Sequence, residues 1–113
     1  EVLLPEKSNI PSSELSSIFF NLLDNGIESC NASGSESPFI SVTSKMSAGF
    51  LTVHMQNSKD PKKTFNHKTS KKDILNHGFG LSIIEDICKK NDGSCQWIDN
   101  GDTFDSVVML RYQ

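Results

Sequence analysis

The chain has 113 residues, which is the size of one domain and enough to bury a hydrophobic core. Eleven basic residues against fourteen acidic ones give a formal charge of -3 at pH 7, so the composition provides no general attraction to nucleic acid or to an anionic membrane. Three cysteines without a CxxC pair indicate neither a disulfide framework nor a zinc site, no apolar run reaches the roughly 20 residues of a membrane span, and a reducing, cytoplasmic location is expected.

Apolar and turn-forming residues predict the order β-α-β-β-loop-α-β-β. Residues 1–5 are typical of a short edge strand that ends at a proline. A helix follows, with Ser12 or Ser13 as its N-cap and Glu14 in its positively polarised first turn. Helical spacing predicts that one side of this helix packs in the core, namely Leu15, Ile18, Phe19, Leu22, Leu23, Gly26, Ile27 and Cys30.

Two β-rich runs after the helix predict a hairpin. The runs cover 39–44 and 50–56, and the turn between them contains Ala48 and Gly49. The next stretch, 59–72, holds six of the eleven basic residues and has the composition of a loop. It is either a solvated surface loop or a mobile lid whose ammonium groups face a polyphosphate.

The last third of the chain predicts a second helix and two strands. The amphipathic pattern of the helix begins at Leu81, and Gly93 is placed to end it. The strands at 94–98 and 106–112 are joined by a linker, 99–105, that contains the tight-turn signal Asn-Gly. A sheet covered by helices on one face is an α/β two-layer sandwich, here expected with a mixed sheet and a lid loop.

A polar row lies on the first helix, away from its apolar side. Asn21, Asn25 and Glu28 follow one another at i, i+4 and i+7, so their side chains line up along the helix axis. Such a row is either the wet face of a surface helix or a source of oxygen ligands for a partly hydrated Mg²⁺.

Two glycines precede the second helix in "HGFGLS". Backbone N–H groups at the start of a helix have no intrahelical partner, and a segment without side chains at Gly78 and Gly80 lets them reach an anion such as a triphosphate. The alternative is that the glycines form a simple connecting turn. The segment is not a Walker loop, because no GK[ST] follows.

These stretches carry a family resemblance. "NLLDNGIESC" (21–30) resembles the N-box of the GHKL ATPases in sensor histidine kinases, and "NHGFGLSIIEDICKKNDGSCQW" (76–97) resembles their second glycine box with the helix and strand after it. With Phe65 and Lys68 added, the pattern looks closest to AgrC-like peptide-pheromone kinases. The resemblance implies one domain of the Bergerat or GHKL fold over 1–113, as part of a larger sensor whose membrane anchor would lie elsewhere.

ATP and Mg²⁺ are the ligand and cofactor that the resemblance implies. Asn25 would bind the metal, and Asn21 would lie one turn earlier, near the phosphates. The full set of ATP-binding residues carried over from the family is Asn21, Asn25, Asn57, Lys68, His77, Gly78, Phe79, Gly80 and Leu81.

Asn57 departs from the family pattern. It stands where most relatives have the aspartate of a DxGxG box, which accepts the adenine amino proton, and no glycines follow it in "NSKDP". A neutral amide oxygen is a weaker acceptor than a carboxylate, so a modest affinity for ATP is expected.

Asn21 bears on the type of reaction. ATPase branches of the fold have a glutamate there to activate water, whereas an amide cannot take a proton at neutral pH. We therefore expect a protein-histidine kinase domain that supplies the γ-phosphoryl group of ATP. Its implied partners are a separate dimerisation domain and a downstream response regulator. The dimerisation domain would carry the acceptor histidine, and His54, His67 and His77 of this chain are not expected to be the acceptor.

Two other functions stay open. The degenerate adenine box suggests a nucleotide-free pseudokinase that serves as an interaction module. The glycine box is shared by anti-sigma serine kinases and small ATPases of the same fold.

Overall fold

The described part of the chain forms a four-stranded sheet with two helices packed against it. The computed structural model describes residues 9–63 and 79–112. The elements are α1 (Ser12–Ala32), β1 (Ile40–Ser47), β2 (Phe50–Ser58), α2 (Phe79–Lys90), β3 (Ser94–Asp99) and β4 (Thr103–Arg111). The predicted two-layer α/β sandwich is confirmed, and the strand predicted at 1–5 lies outside the described residues.

The four described strands lie in the order β1-β2-β4-β3, and each neighbouring pair is antiparallel. The two outer pairs are hairpins, which makes them antiparallel by construction. The parallel pairing of the expected mixed sheet is therefore not found among these strands.

The first hairpin turns at the predicted residues, Ala48 and Gly49. Both have positive φ angles, 54° and 83°, and Ser47 pairs with Phe50. Two central residues with positive φ make a type I′ turn, whose twist matches that of the flanking strands. The turn thereby sets the register of β1 against β2.

Alternating residues of β2 form the centre of the core. Leu51, Val53 and Met55 are buried because successive side chains of a strand point to opposite faces and only one face is covered by helices. Full burial of such a side chain stabilises the fold by about 1.5–3 kcal/mol. The buried apolar set is Ile10, Ile18, Leu22, Leu51, Val53, Met55, Ile84, Ile87, Cys88, Val108 and Leu110.

Only part of the predicted apolar side of α1 reaches this core. Ile18, Leu22 and Gly26 are buried, whereas Leu23 is 37% exposed and Ile27 is 51% exposed. The prediction was wrong for Leu23 and Ile27, because a helix that lies on one face of a sheet buries a narrower stripe than the predicted set spans.

The start of α1 also differs from the prediction. The helix begins at Ser12 with Pro11 in the N-cap position, and no described side chain caps it. Ser12 and Ser13 are therefore helical residues and not caps. The fixed φ of proline suits the entry into a helix without a capping hydroxyl.

The end of α2 agrees with the prediction. Gly93 N donates a hydrogen bond of 2.8 Å to Cys88 O, which closes the last turn. A Cβ added at Gly93 would lie 1.8 Å from Met109 O, so the chain passes β4 too closely for any other residue.

The second hairpin is tighter than predicted. β4 begins at Thr103, so residues 100–102 form the turn, and Asn100 N donates to Thr103 O at 2.9 Å. The expected linker 99–105 was too long because β2 extends to Ser58, which pairs with Thr103. No helix in the described ranges is long and apolar enough to cross a membrane.

Candidate functional site

Glu14, Asn21 and Asn25 lie on one face of α1. Seven and eleven residues separate Glu14 from the two asparagines, which is about two and three helical turns. Glu14 Oε2 lies 2.6 Å from Lys90 Nζ, and Glu14 Oε1 accepts a hydrogen bond of 3.0 Å from Asn91 Nδ2. Because both partners lie at the C-terminal end of α2, the face that carries Asn21 and Asn25 is turned toward α2.

The lengths of the two helices indicate that the first turn of α2 lies near the level of Asn25. The start of α1 meets the end of α2, and the two helices pack against each other, so they run in opposite directions. Phe79 and Lys90 are eleven residues apart, as are Glu14 and Asn25, and each span is about 16 Å of helix. Following both helices away from the Glu14 contact therefore leads to Asn25 on one and to the N-terminal end of the other.

The two asparagine amides on this face differ in how they are satisfied. Asn21 Nδ2 donates to Ser17 O at 2.7 Å and to Ser17 Oγ at 3.2 Å. Asn25 Nδ2 is buried and has no hydrogen-bond partner among the described residues. A buried unsatisfied donor costs about 1–3 kcal/mol, and a bound polar ligand would relieve that cost.

Asn25 can also offer an oxygen to a metal ion. A half turn about χ2 exchanges Oδ1 and Nδ2, so the same amide can present the oxygen ligand that Mg²⁺ prefers. Within residues 9–63 and 79–112, no three His, Cys, Asp or Glu side chains lie together as metal ligands. A single amide suits Mg²⁺ bound mainly by phosphates and water, because this ion takes only one or two protein ligands in such sites.

The predicted glycine segment enters α2 earlier than expected. α2 begins at Phe79, two residues before Leu81, so Phe79 and Gly80 belong to its first turn. The first four N–H groups of a helix have no intrahelical acceptor, so amides of this turn can bind an anion from within the helix and not from a preceding loop. Three further predicted residues lie outside the described residues: Lys68, His77 and Gly78.

Asn57 lies near the end of β2, with 2% of its surface exposed. Its Nδ2 donates to Ser58 O at 2.9 Å, and the same carbonyl accepts a hydrogen bond of 2.9 Å from Ser29 Oγ. The Ser29 contact joins the end of β2 to the C-terminal part of α1, one turn beyond Asn25. Asn57 and Asn25 therefore lie at the same end of the sandwich, and an amide oxygen such as Asn57 Oδ1 is able to accept a hydrogen bond from a ligand.

Lys59 is a buried residue and not part of a lid. It is 8% exposed, and its Nζ lies 3.2 Å from Asp99 Oδ1 and donates to Gly101 O at 2.8 Å and Asp60 O at 2.9 Å. Neither alternative for this stretch, a solvated loop or a lid whose ammonium groups face a polyphosphate, holds for Lys59, because three protein oxygens already surround its ammonium group. Of the other lysines in the stretch, Lys62 and Lys63 are exposed, and Lys68, Lys71 and Lys72 lie outside the described residues.

The sequence prediction missed the ion pair that joins the two helices. Hydrogen bonds from Lys90 and Asn91 hold the pKa of the Glu14 carboxyl below its usual range. Glu14 was assigned only to the helix dipole, since residues 14 and 90 are too far apart in sequence for any spacing rule to connect them.

A pair of thiols, also unpredicted, joins α2 to β3. Cys88 is 2% exposed, and the hydrogen bond between its thiol and that of Cys95 raises the pKa of Cys88, with burial acting in the same direction. The same bond lowers the pKa of Cys95. All three cysteines are free. The sequence held a signal for this contact, because α2, the turn at Gly93 and β3 were each predicted. Together they reverse the chain between the two cysteines.

His54 lies in β2, as predicted, on the sheet face away from the helices. Its neighbours in sequence, Val53 and Met55, are buried, and the alternation of the strand turns His54 outward. His54 Nε2 lies 3.4 Å from Asp105 Oδ1 of β4. His54 therefore lies on the opposite face of the sheet from Asn57.

Comparisons with known proteins identify the domain type. Residues 11–111 match the GHKL domain family. No curated protein sequence matches the chain significantly. Among solved structures, the chain is similar to the nucleotide-free catalytic domain of histidine kinase ThkA, with a TM-score of 0.67 and 21% identity over 88% of this chain and 66% of that one. It is also similar to the histidine kinase AdeS of Acinetobacter baumannii, with a TM-score of 0.62 and 14% identity over 89% of this chain and 47% of that one.

Proposed function

Because the chain belongs to the GHKL domain family, we propose that it is the ATP-binding catalytic domain of a sensor histidine kinase. The γ-phosphoryl group of ATP passes to a histidine on a separate dimerisation domain of the same kinase, and from there to a response regulator. The fold shared with two histidine kinases supports this assignment. Phe65, Lys68 and the motif "HGFGL" (77–81) favour the AgrC-like, peptide-sensing subtype, with this domain on the cytoplasmic side of a membrane-bound sensor.

The observation that carries the proposal is the state of Asn25. Its buried Nδ2 lacks a partner among the described residues, and the helix lengths indicate that it lies near the level of the first turn of α2. An amide with no hydrogen-bond partner among the described residues, near a helix N-terminus, supports a site for a polar ligand such as a phosphate-bound metal ion.

The proposed division of work follows from the positions of the residues. Amides of the first turn of α2, with Gly78 before it, bind the phosphates, aided by the positive end of the helix dipole. Asn57 Oδ1 accepts the adenine amino proton, and Lys68 and His77 complete the nucleotide site. Asn25 would hold Mg²⁺, which would supply charge neutralisation at the phosphates during transfer.

Asn21 favours transfer to a protein over hydrolysis. Its amide is already bonded to Ser17 O, and an amide cannot act as a general base near neutral pH. Water at this face is therefore not activated by Asn21. We expect the isolated chain to show little phosphate release and almost no phosphorylation of itself, and stable radiolabel on this chain alone would contradict the proposal.

Calorimetric titration with a non-hydrolysable ATP analogue tests the proposal directly. The wild type should bind the analogue more tightly with Mg²⁺ than without it. Asn25→Ala should weaken binding about tenfold or more with Mg²⁺ and much less without it, because only the metal-bound complex uses the amide oxygen. Asn31→Ala, an exposed asparagine of the same helix, is the matched control and should change neither titration.

Equal losses for Asn25→Ala with and without Mg²⁺ would show that Asn25 is not the metal ligand. No binding of the analogue by the wild type would instead favour a nucleotide-free interaction module. The burial of Asn57 and the engagement of its Nδ2 with Ser58 O are the features that favour that alternative, since they also suit a purely structural residue. A rise in melting temperature with MgATP separates the two functions.

A further inference from the structure

Lys59 is fastened to the turn between β3 and β4. Besides the three oxygens around its Nζ, its backbone N donates to Asp102 O at 2.9 Å. The turn is itself braced, because Gly101 N donates to Asp99 Oδ1 at 2.9 Å. The residue directly after β2 thus holds the turn through both its main chain and its side chain.

The peptide unit between Ser58 and Lys59 transmits this contact to Asn57. Its N–H belongs to Lys59 and bonds to the turn, and its carbonyl belongs to Ser58 and accepts the hydrogen bond from Asn57 Nδ2. A peptide unit is planar and rigid, so the direction of its N–H fixes the direction of its C=O. The amide of Asn57 is therefore oriented by a carbonyl whose peptide unit is bonded to Asp102 of the turn. The side chain of Lys59 holds that turn in place through Gly101 and Asp99.

We propose that Lys59 is a positioning residue for nucleotide binding, which holds Asn57 so that its Oδ1 accepts a donor from the base. This inference rests on the proposed function. Its location makes it specific to the base, because Asn25 and the first turn of α2, which serve the phosphates, make no described contact with Lys59. Loss of the lysine should loosen the adenine end of the site and leave the phosphate end intact.

The test compares two ligands on two lysine variants. Lys59→Met removes the ammonium group and keeps most of the apolar stem, and Lys62→Met makes the same change at an exposed lysine three residues on. Each variant is titrated, with Mg²⁺, against a non-hydrolysable ATP analogue and against inorganic tripolyphosphate, which lacks the base.

We expect Lys59→Met to weaken binding of the ATP analogue about tenfold, which corresponds to one misaligned hydrogen bond, and to leave tripolyphosphate binding unchanged. Lys62→Met should change neither. In an Asn57→Ala background, Lys59→Met should cause no further loss, since the group that it positions is gone.

Several results would overturn the inference. Unchanged affinity of Lys59→Met for the ATP analogue, equal losses for both ligands, or additive losses with Asn57→Ala would each show that Lys59 is only structural. Failure of the wild type to bind either ligand would instead refute the proposed function. If Lys59→Met does not fold, Asp99→Asn carries the test, because it removes the charged partner and leaves the carbonyl acceptors. A smaller loss confined to the ATP analogue is then expected, and an unchanged affinity would refute the positioning role.

Discussion

Replacing Asn25 by alanine should make the nucleotide-free domain more stable while it weakens MgATP binding. The change removes a buried Nδ2 that has no partner among residues 9–63 and 79–112, and an unsatisfied buried donor costs about 1–3 kcal/mol. It also places alanine in a helix interior, which favours folding by about 0.5 kcal/mol. Lost packing of the half-buried side chain offsets part of this gain. We expect a net increase of about 1–2 kcal/mol in the free energy of unfolding.

Thermal unfolding measures the effect. At about 2.1 cal/mol/K per residue, such an increase raises the melting temperature of a 113-residue domain by about 4–8 °C. Added MgATP should stabilise the wild type and do so far less for Asn25→Ala. Asn21→Ala is the matched comparison: it removes a satisfied hydrogen bond to Ser17 O, worth about 0.5–1.5 kcal/mol, and gains about 0.5 kcal/mol in helix propensity. Its apo stability should therefore fall slightly, by about 1 kcal/mol or less. A lower stability of apo Asn25→Ala would refute the reasoning, since it would mean that the amide supports the fold.

Three further predictions concern the framework around the site. Glu14→Gln should lower the free energy of unfolding at pH 7 by about 0.5–1 kcal/mol and make it depend less on pH in acid. A carboxyl with a lowered pKa stabilises the fold above its unfolded pKa, and this effect is lost as the pH falls through the folded pKa. Urea unfolding of both proteins at pH 7 and pH 3 checks this, and parallel pH profiles would contradict it. Gly93→Ala should cost more than about 3 kcal/mol in denaturant unfolding, since its Cβ would meet Met109 O at 1.8 Å, and a cost below about 1 kcal/mol would contradict that close approach. Cys95 should be alkylated before Cys88 at neutral pH, and Cys88→Ala should slow the alkylation of Cys95 by removing the hydrogen bond that lowers its pKa. Mass spectrometry measures both rates, and faster alkylation of Cys95 in the variant would contradict the prediction.

Local patterns in the sequence were sufficient to predict most of the fold. Helical spacing predicted the position of α1, turn-forming residues predicted both hairpins, and Gly93 predicted the end of α2. Each of these signals depends on residues close in sequence. The arc of α1 that is buried could not be read the same way. Leu23 and Ile27 are as apolar as Leu22, and only the single sheet beneath the helix decides which of them is covered.

The same distinction applies to the candidate site, where local features were predicted and long-range contacts were not. Asn21 and Asn25 could be placed on one helix face from their spacing alone, and the start of α2 could be expected near residue 80. Lys59 was misassigned, because a lysine in a basic, loop-like stretch gives no local sign of burial, and its partners in the second hairpin are some forty residues away in sequence. Long-range polar contacts of this kind depend on the assembled sheet.

The two ends of the helix pair differ in how their polar groups are satisfied, and this difference supports the proposed location of the site. At one end, Glu14 is hydrogen-bonded by Lys90 and Asn91, and Asn91 O accepts a hydrogen bond of 3.1 Å from Arg111 N. These polar groups are therefore satisfied within the protein. At the other end, the buried Nδ2 of Asn25 has no partner among the described residues, beside a helix whose first N–H groups have no intrahelical acceptors. An unpaired buried donor opposes folding, so its retention there is best explained by a ligand that completes the hydrogen bonding. A phosphate-bound metal with its anion provides such a ligand, and its binding energy then adds to the free energy of unfolding of the domain.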